Sequence, residues 1–235
     1  VFRRRRFVSW LTEQFAKNRP FDSIVREMVA GNGLWTDNPA TNFMMISYDG
    51  DIKDFREIEI AGGMSKAFLG IRMDCAECHD HPFEDWSRDD FHGFAAYFGQ
   101  ASFGIRGVTD DPLGQYQRLE IDGSKGPVIP PVAPFQKKLI PETGSRREQI
   151  AGWLTHPENR YFARAIVNRT WALMFGRAIV EPLDELPKGG PFPKSLSLLA
   201  KDFSQHNYDL RRLVKVIALS QAFQRDSTET PQQSP

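Results

Sequence analysis

Cysteine is nearly missing from this chain, with two residues in 235. At most one disulfide is available, so a disulfide framework cannot organise the fold. An excess of charge of one sign is missing as well. Lys and Arg together number 30, Asp and Glu number 30, and the net charge is zero, which removes the electrostatic footprint of a dedicated nucleic-acid binder. No apolar run reaches the ~18 residues of a membrane span, so no transmembrane segment is expected. Tyr is scarce, 5 against 18 Phe, and that imbalance points to filled helix interfaces rather than to chemistry. The chain opens on Val1 without a signal-peptide pattern, as expected of a piece of a longer protein whose address lies elsewhere. Its length can bury one large core or two small ones.

The two cysteines are not scattered. They stand in Cys75-Ala76-Glu77-Cys78-His79-Asp80-His81-Pro82-Phe83, which also holds two of the five histidines. Shuffling this composition gives Cys-x-x-Cys-His roughly twice in 10,000 trials, so the spacing is not accidental. It is the attachment signature of a c-type haem: one turn of chain presents both sulfurs to the two vinyl groups, and the next His ligates iron. Cys75, Cys78 and His79 are therefore candidate haem c residues. The second ring nitrogen of His79 needs an acceptor, which Asp80, Asp85 or a nearby carbonyl can provide.

Other readings stay open. A zinc site can draw on Cys75, Cys78, His79 and His81, although a closed site wants four ligands and the usual second Cys/His pair is missing. A redox Cys-x-x-Cys normally follows a strand, whereas helix precedes this one. A disulfide or two inert thiols is the plain alternative. If haem is held, the sixth iron ligand is open: His81 is too near His79 in sequence, and His92, Met64, Met73, Met44 and Met45 are the candidates. Phe83, Trp86, Phe94 and Phe98 can pack on a porphyrin face.

Helical periodicity governs most of the chain. Residues 1–17 place Phe7, Trp10, Leu11 and Phe15 on one face, and the basic run Arg3 to Arg6 at the start implies a helix beginning further upstream. Asp22 or Ser23 caps a second helix stopped by Gly31. Residues 31–53 read as turns, and Asp49-Gly50-Asp51 lacks the rest of a calcium loop. A third helix from about Asp54 to Met73 leads into Cys75. Ser87 and Asp90 form a capping-box pair before Phe91, Phe94, Ala95 and Phe98, with His92 alongside. Gly and Pro crowd 99–144, where 115–121 alternates as one strand of a hairpin. Helices follow from the capping box Ser145/Glu148, over Tyr161–Phe175 to a stop at Gly176, from Ser195 to His206, and from Asp209 to Phe223. The expected fold is mainly α: a helical subdomain over 1–100, a Gly/Pro-rich, loop-dominated segment with one short hairpin over 101–144, a second helical subdomain over 145–226, and a polar tail, 227–235.

Phe68-Leu69-Gly70-Ile71 followed by Cys75-x-x-Cys78-His79-Asp80-His81-Pro82-Phe83 resembles the DUF1549 family. From Ser145 the chain resembles DUF1553, through Asn159, Phe162-Ala163-Arg164, Val167-Asn168-Arg169-x-Trp171, Phe175-Gly176 and Ser220-Gln221-Ala222-Phe223-Gln224-Arg225. Both families abound in planctomycetes, often behind a planctomycete-type cytochrome c domain. Two departures stand out: Pro193-Lys194-Ser195 replaces a common Ser/Thr-His-Pro, and Phe223 replaces a frequent Tyr. The resemblance implies a secreted or periplasmic protein associated with redox chemistry, linked to polysaccharide breakdown, and it supplies no catalytic residues. A haem-c redox protein that exchanges electrons with a partner protein or an upstream cytochrome domain is the leading expectation. The alternatives are a binding or scaffold module holding zinc or a disulfide, and a carbohydrate-active enzyme domain. Asn168, Arg169 and Trp171 are candidates to line a site, with an Arg-to-carboxylate bridge between the halves as the structural counterpart.

Overall fold

The computed structural model describes residues 4–47, 56–119 and 124–225. The helices are α1 (Arg4–Ala16), α2 (Phe21–Ala30), α3 (Glu57–Met64), α4 (Arg88–Ala95), α5 (Arg146–Leu154), α6 (Phe162–Phe175), α7 (Lys194–Gln205) and α8 (Leu210–Ala218). Between α4 and α5 lie β1 (Ala101–Gly104), β2 (Gly107–Asp110), β3 (Gln117–Leu119) and β4 (Lys125–Val128). They pair antiparallel as two separate hairpins, β1 with β2 and β3 with β4. The Asp49-Gly50-Asp51 turn, the first residues of the helix expected from Asp54, and the polar tail fall outside the described residues.

The two hairpins correct the expected mainly-α architecture of two helical subdomains to a mixed α/β one in which helix predominates. The β1–β2 hairpin went unread because its strands are only four residues long and carry glycine at Gly104 and Gly107, which erases the period-2 signal. Gly107 is needed where it stands. It has φ +81°, and a Cβ there would lie 2.1 Å from the Gly33 carbonyl. That close approach lets Val108 bridge to Gly33 and stitches the hairpin onto the chain leaving α2. β3 falls inside the expected 115–121 strand, but its partner β4 comes from the Gly/Pro-rich stretch.

The hydrophobic core is one continuous cluster running from Trp10 to Ile217. α2 packs on α5, and the turn that prolongs α3 packs on α6. The Phe21 ring stacks on Phe162 at 6.2 Å, and its N–H donates to the Tyr208 carbonyl at 3.1 Å. Arg147, on the first turn of α5 with a fully buried side chain, donates to Asp110 of β2 and to the Val29 and Gly31 carbonyls at the end of α2. The two halves of the sequence therefore share an interior. Some boundaries shift for local reasons. Asp22 pairs with Arg26 at 3.0 Å rather than capping α2, and Pro193, not Ser195, is the residue before α7. The capping boxes Ser87/Asp90 and Ser145/Glu148 form as expected, and Asp209 caps α8.

Candidate functional site

The Cys-x-x-Cys-His segment begins where a helix is forced to stop. α3 runs into one π turn, Ser65–Leu69, that ends at Gly70 in the left-handed region, φ +64°. A Cβ at Gly70 would stand 3.2 Å from side-chain carbons of Ala165 and Leu186, so both the backbone and the approach of α6 demand glycine there. The helix expected to reach Met73 thus ends at Leu69. Ile71 and Met73 stay buried, and the chain surfaces in a 3-10 turn over Asp74–Glu77. Ala76 points into the core, while Cys75, Cys78 and His79 are exposed. Both thiols are free.

Each histidine of the region has a defined task. His79 Nδ1 lies 2.7 Å from the Asp80 carbonyl. A carbonyl only accepts, so Nδ1 carries the proton and Nε2 keeps the lone pair, the arrangement typical of a metal-ligating imidazole. His81 is the reverse. Its Nδ1 accepts from the Phe83 N–H at 3.2 Å and the Glu84 N–H at 2.9 Å, which puts the proton on Nε2 and makes the ring a staple for the 81–86 turn. His92 is buried on α4, with Nε2 donating to the Glu77 carbonyl at 2.9 Å and Nδ1 accepting from the Tyr116 hydroxyl at 2.7 Å. Both of its nitrogens are engaged in holding the motif from below. Among the described residues, no three His, Cys, Asp or Glu side chains are gathered as metal ligands. The structure therefore does not bring Cys75, Cys78, His79 and His81 together as a zinc site, and it gives His81 and His92 structural bonds. Met44, Met45, Met64 and Met73, the other candidate sixth ligands, are all core residues.

The turn is fastened around its exposed side chains. Arg88 Nε also donates to the Glu77 carbonyl at 3.2 Å, and the Arg88 N–H donates to Asp80 Oδ1 at 2.8 Å. The Asp80 carboxylate thus sits at the N-terminus of α4, where the helix dipole favours an anion. Lys66 pairs with Asp74 at 2.8 Å on the other flank. The second half of the chain reaches in through Lys188, whose ammonium lies over the Trp86 ring at 4.4 Å and donates to the Asp85 carbonyl. Of the aromatics expected against a porphyrin, Trp86, Phe94 and Phe98 belong to the core, with Trp86 against Phe135 and Phe94 against Trp153. Phe83, 90% exposed, lies on the surface beside the motif with its ring edge-on to His81 at 6.4 Å. Sequence reasoning missed Arg88 and Tyr116 as supports, and no local signal marks Tyr116, which meets His92 from 24 residues downstream.

A layer of buried titratable groups lies behind the turn. Burial pushes His92 down, so it stays neutral, and burial pushes Tyr116 up, with Glu57 and Glu77 adding to the rise. Burial raises Glu57 from an ordinary 4.5 to about 7. Below pH 4.5 Glu57 is protonated whether the chain is folded or not. Between 4.5 and 7 the unfolded chain loses that proton first, so stability falls as pH rises through this window. The loss levels off above 7 at up to about 3 kcal/mol. Glu57→Gln is expected to match the parent at pH 4, to exceed it at pH 8, and to flatten the profile between. Urea melts at both pH values check this, and identical profiles for the two proteins would contradict it.

The second-half candidates have structural partners. Asn168 is buried; its Oδ1 accepts from the Ile179 and Val180 N–H groups and its Nδ2 donates to the Val180 carbonyl, fixing the chain that leaves α6. Trp171 stacks on Phe175 at 4.1 Å. Arg169 bridges the halves, but to the Lys66 carbonyl at 2.5 Å rather than to a carboxylate. The Arg-to-carboxylate bridge between the halves is made by Arg72, which pairs with Asp184 at 3.0 Å and Glu185 at 3.4 Å, while Arg147 ties α5 to Asp110 of β2.

Residues 2–102 match the family described as a protein of unknown function (DUF1549), and residues 146–235 match the one described as a protein of unknown function (DUF1553). No curated protein and no solved structure matches the chain. The first span contains the Gly70 stop and the Cys-x-x-Cys-His turn, and the second supplies α5 to α8. The chain thus carries a DUF1549 region followed by a DUF1553 region.

Proposed function

We propose that Cys75 and Cys78 attach a c-type haem and that His79 ligates its iron, making this chain a redox protein that exchanges electrons with a partner. The observation that carries the reading is the division of roles on one exposed turn. Two free thiols and an imidazole whose Nδ1 is already engaged stand together, yet they are not gathered around a common point as zinc ligands would be. Thioether attachment needs the sulfurs at the porphyrin edge and only the imidazole at the metal, and the exposure of all three side chains supports the reading. When bound, haem supplies one-electron chemistry. The protein's part is to hold the turn: His92 and Arg88 fix the Glu77 carbonyl, and Asp80 orients His79 from its carbonyl and docks the turn on α4 from its carboxylate. Segment 74–90 carries seven carboxylates against one arginine, and with Lys66, Arg118 and Lys188 pairing in from elsewhere a surplus of three negative charges remains. A basic face on the redox partner, or on an upstream cytochrome domain, is the complementary surface. The periplasmic or secreted setting and the link to polysaccharide breakdown rest on the family resemblance. A pyridine haemochrome spectrum of protein matured with c-type haem machinery tests the reading: a covalent c-type spectrum is expected, and a colourless protein would overturn it.

A further inference from the structure

A second feature lies away from that turn, on the elements of the C-terminal half. A cleft of about 800 Å³ opens between the chain joining α5 to α6, the first turn of α6, and α7. Arg160, Arg164, Lys194 and Lys201 line it against a single carboxylate, Glu158. In a chain of zero net charge this is a local surplus of three positive charges, enough to attract anions. Among the described residues none of the four takes part in an ion pair. Elsewhere the same protein pairs Arg19, Arg72, Arg147 and Arg212 with carboxylates.

Arg164 is the most constrained of the set. Its guanidinium lies 4.6 Å from the centroid of the Phe192 ring, and Nη1 donates to the Arg160 carbonyl at 2.5 Å. Its Nε is buried and has no hydrogen-bond partner. Burial and the neighbouring Arg160 both disfavour its charge, yet a guanidinium remains a cation. A planar cation held over an aromatic ring, at the wall of the cleft and with no acid paired to it, suits an oxyanion. The other cations set the ligand's length. Lys194 and Lys201 are seven residues apart on α7, about 10 Å along the axis, and Arg160 lies in the turn that leads into α6, its carbonyl accepting from Arg164. A single phosphate- or sulfate-sized ion does not reach across them. α7 also begins after Pro193 without a side-chain cap.

We infer that this cleft binds an extended small-molecule polyanion carrying two or more phosphate, sulfate or carboxylate groups. The inference does not rest on the haem reading, since none of the lining residues belongs to the Cys-x-x-Cys-His turn.

Calorimetric titration of the full chain with inorganic tripolyphosphate and with citrate tests it. Saturable one-to-one binding of at least one probe is expected, weakening as salt is raised. Preference for tripolyphosphate would identify phosphate groups as the natural ligand's, and preference for citrate carboxylates. Lys194→Gln/Lys201→Gln, which changes two exposed side chains and leaves the fold alone, is expected to weaken that binding about tenfold or more. Arg164→Met keeps a stem against Phe192 and is expected to weaken it at least as much, with its melting curve read alongside to confirm folding. Failure of both probes to saturate below about 10 mM, or unchanged binding by the double-lysine variant, would overturn the inference.

Discussion

Arg147→Met is expected to lower the unfolding free energy by about 3–5 kcal/mol, the range for removing one partner of a buried ion pair. Every N–H of this guanidinium is used. Nε and Nη2 grip the Asp110 carboxylate at 2.6 and 3.1 Å, Nη1 donates to the Val29 and Gly31 carbonyls at 3.3 and 2.8 Å, and Nη2 also donates to Asn32 Oδ1. Methionine fills much of the volume but leaves a carboxylate and three oxygens without their donor, and unmet buried groups cost more than the bonds they formed. At roughly 2–4 °C per kcal/mol for a chain of this size, the midpoint drops by about 10 °C. Because the contacts join α5 to α2 and β2, the loss falls on the coupling of the two halves. Arg147→Lys, which keeps the charge but not the fork, is expected to fall between the two. Thermal melts of the three proteins check this, and a methionine variant within about 1 kcal/mol of the parent would contradict it.

Changes at the motif are expected to do the opposite: little to stability and everything to the cofactor. Cys75, Cys78 and His79 are exposed, so Cys75→Ala/Cys78→Ala and His79→Ala are each expected to shift the stability of the haem-free chain by no more than about 0.5 kcal/mol per site. In matured protein the double-cysteine variant is expected to lose all covalent haem, and each single variant to keep no more than one thioether link. His79→Ala separates ligation from attachment. The haem is expected to remain bonded through the sulfurs while its visible spectrum changes, and added imidazole is expected to restore the parental spectrum. Visible spectra of matured protein with and without imidazole check it. A His79→Ala spectrum identical to the parent's would remove His79 from the iron.

The sequence disclosed what is written locally. Ser87 with Asp90 and Ser145 with Glu148 announce their helices within four residues, Gly176 announces a stop, and Cys-x-x-Cys-His announces its own chemistry. Features that depend on distant partners were silent. Nothing local singles out Arg147, because Asp110 and Asn32 lie 37 and 115 residues away. His92 reads as a possible ligand until Tyr116 and the Glu77 carbonyl occupy both its nitrogens. The stop at Gly70 depends on α6, nearly a hundred residues later, pressing against it. The four cations of the α6–α7 cleft come from two helices and one loop, and nothing in their spacing along the chain joins them.

The central claim is that the exposed turn carries covalent haem, and the most direct measurement is the intact mass of denatured protein recovered from a periplasm with full c-type maturation capacity. The account predicts a mass increase of one haem, localised by fragmentation to the peptide containing Cys75 and Cys78 and absent from Cys75→Ala/Cys78→Ala. An unmodified mass, or a loss of two hydrogens from a Cys75–Cys78 disulfide, would contradict it.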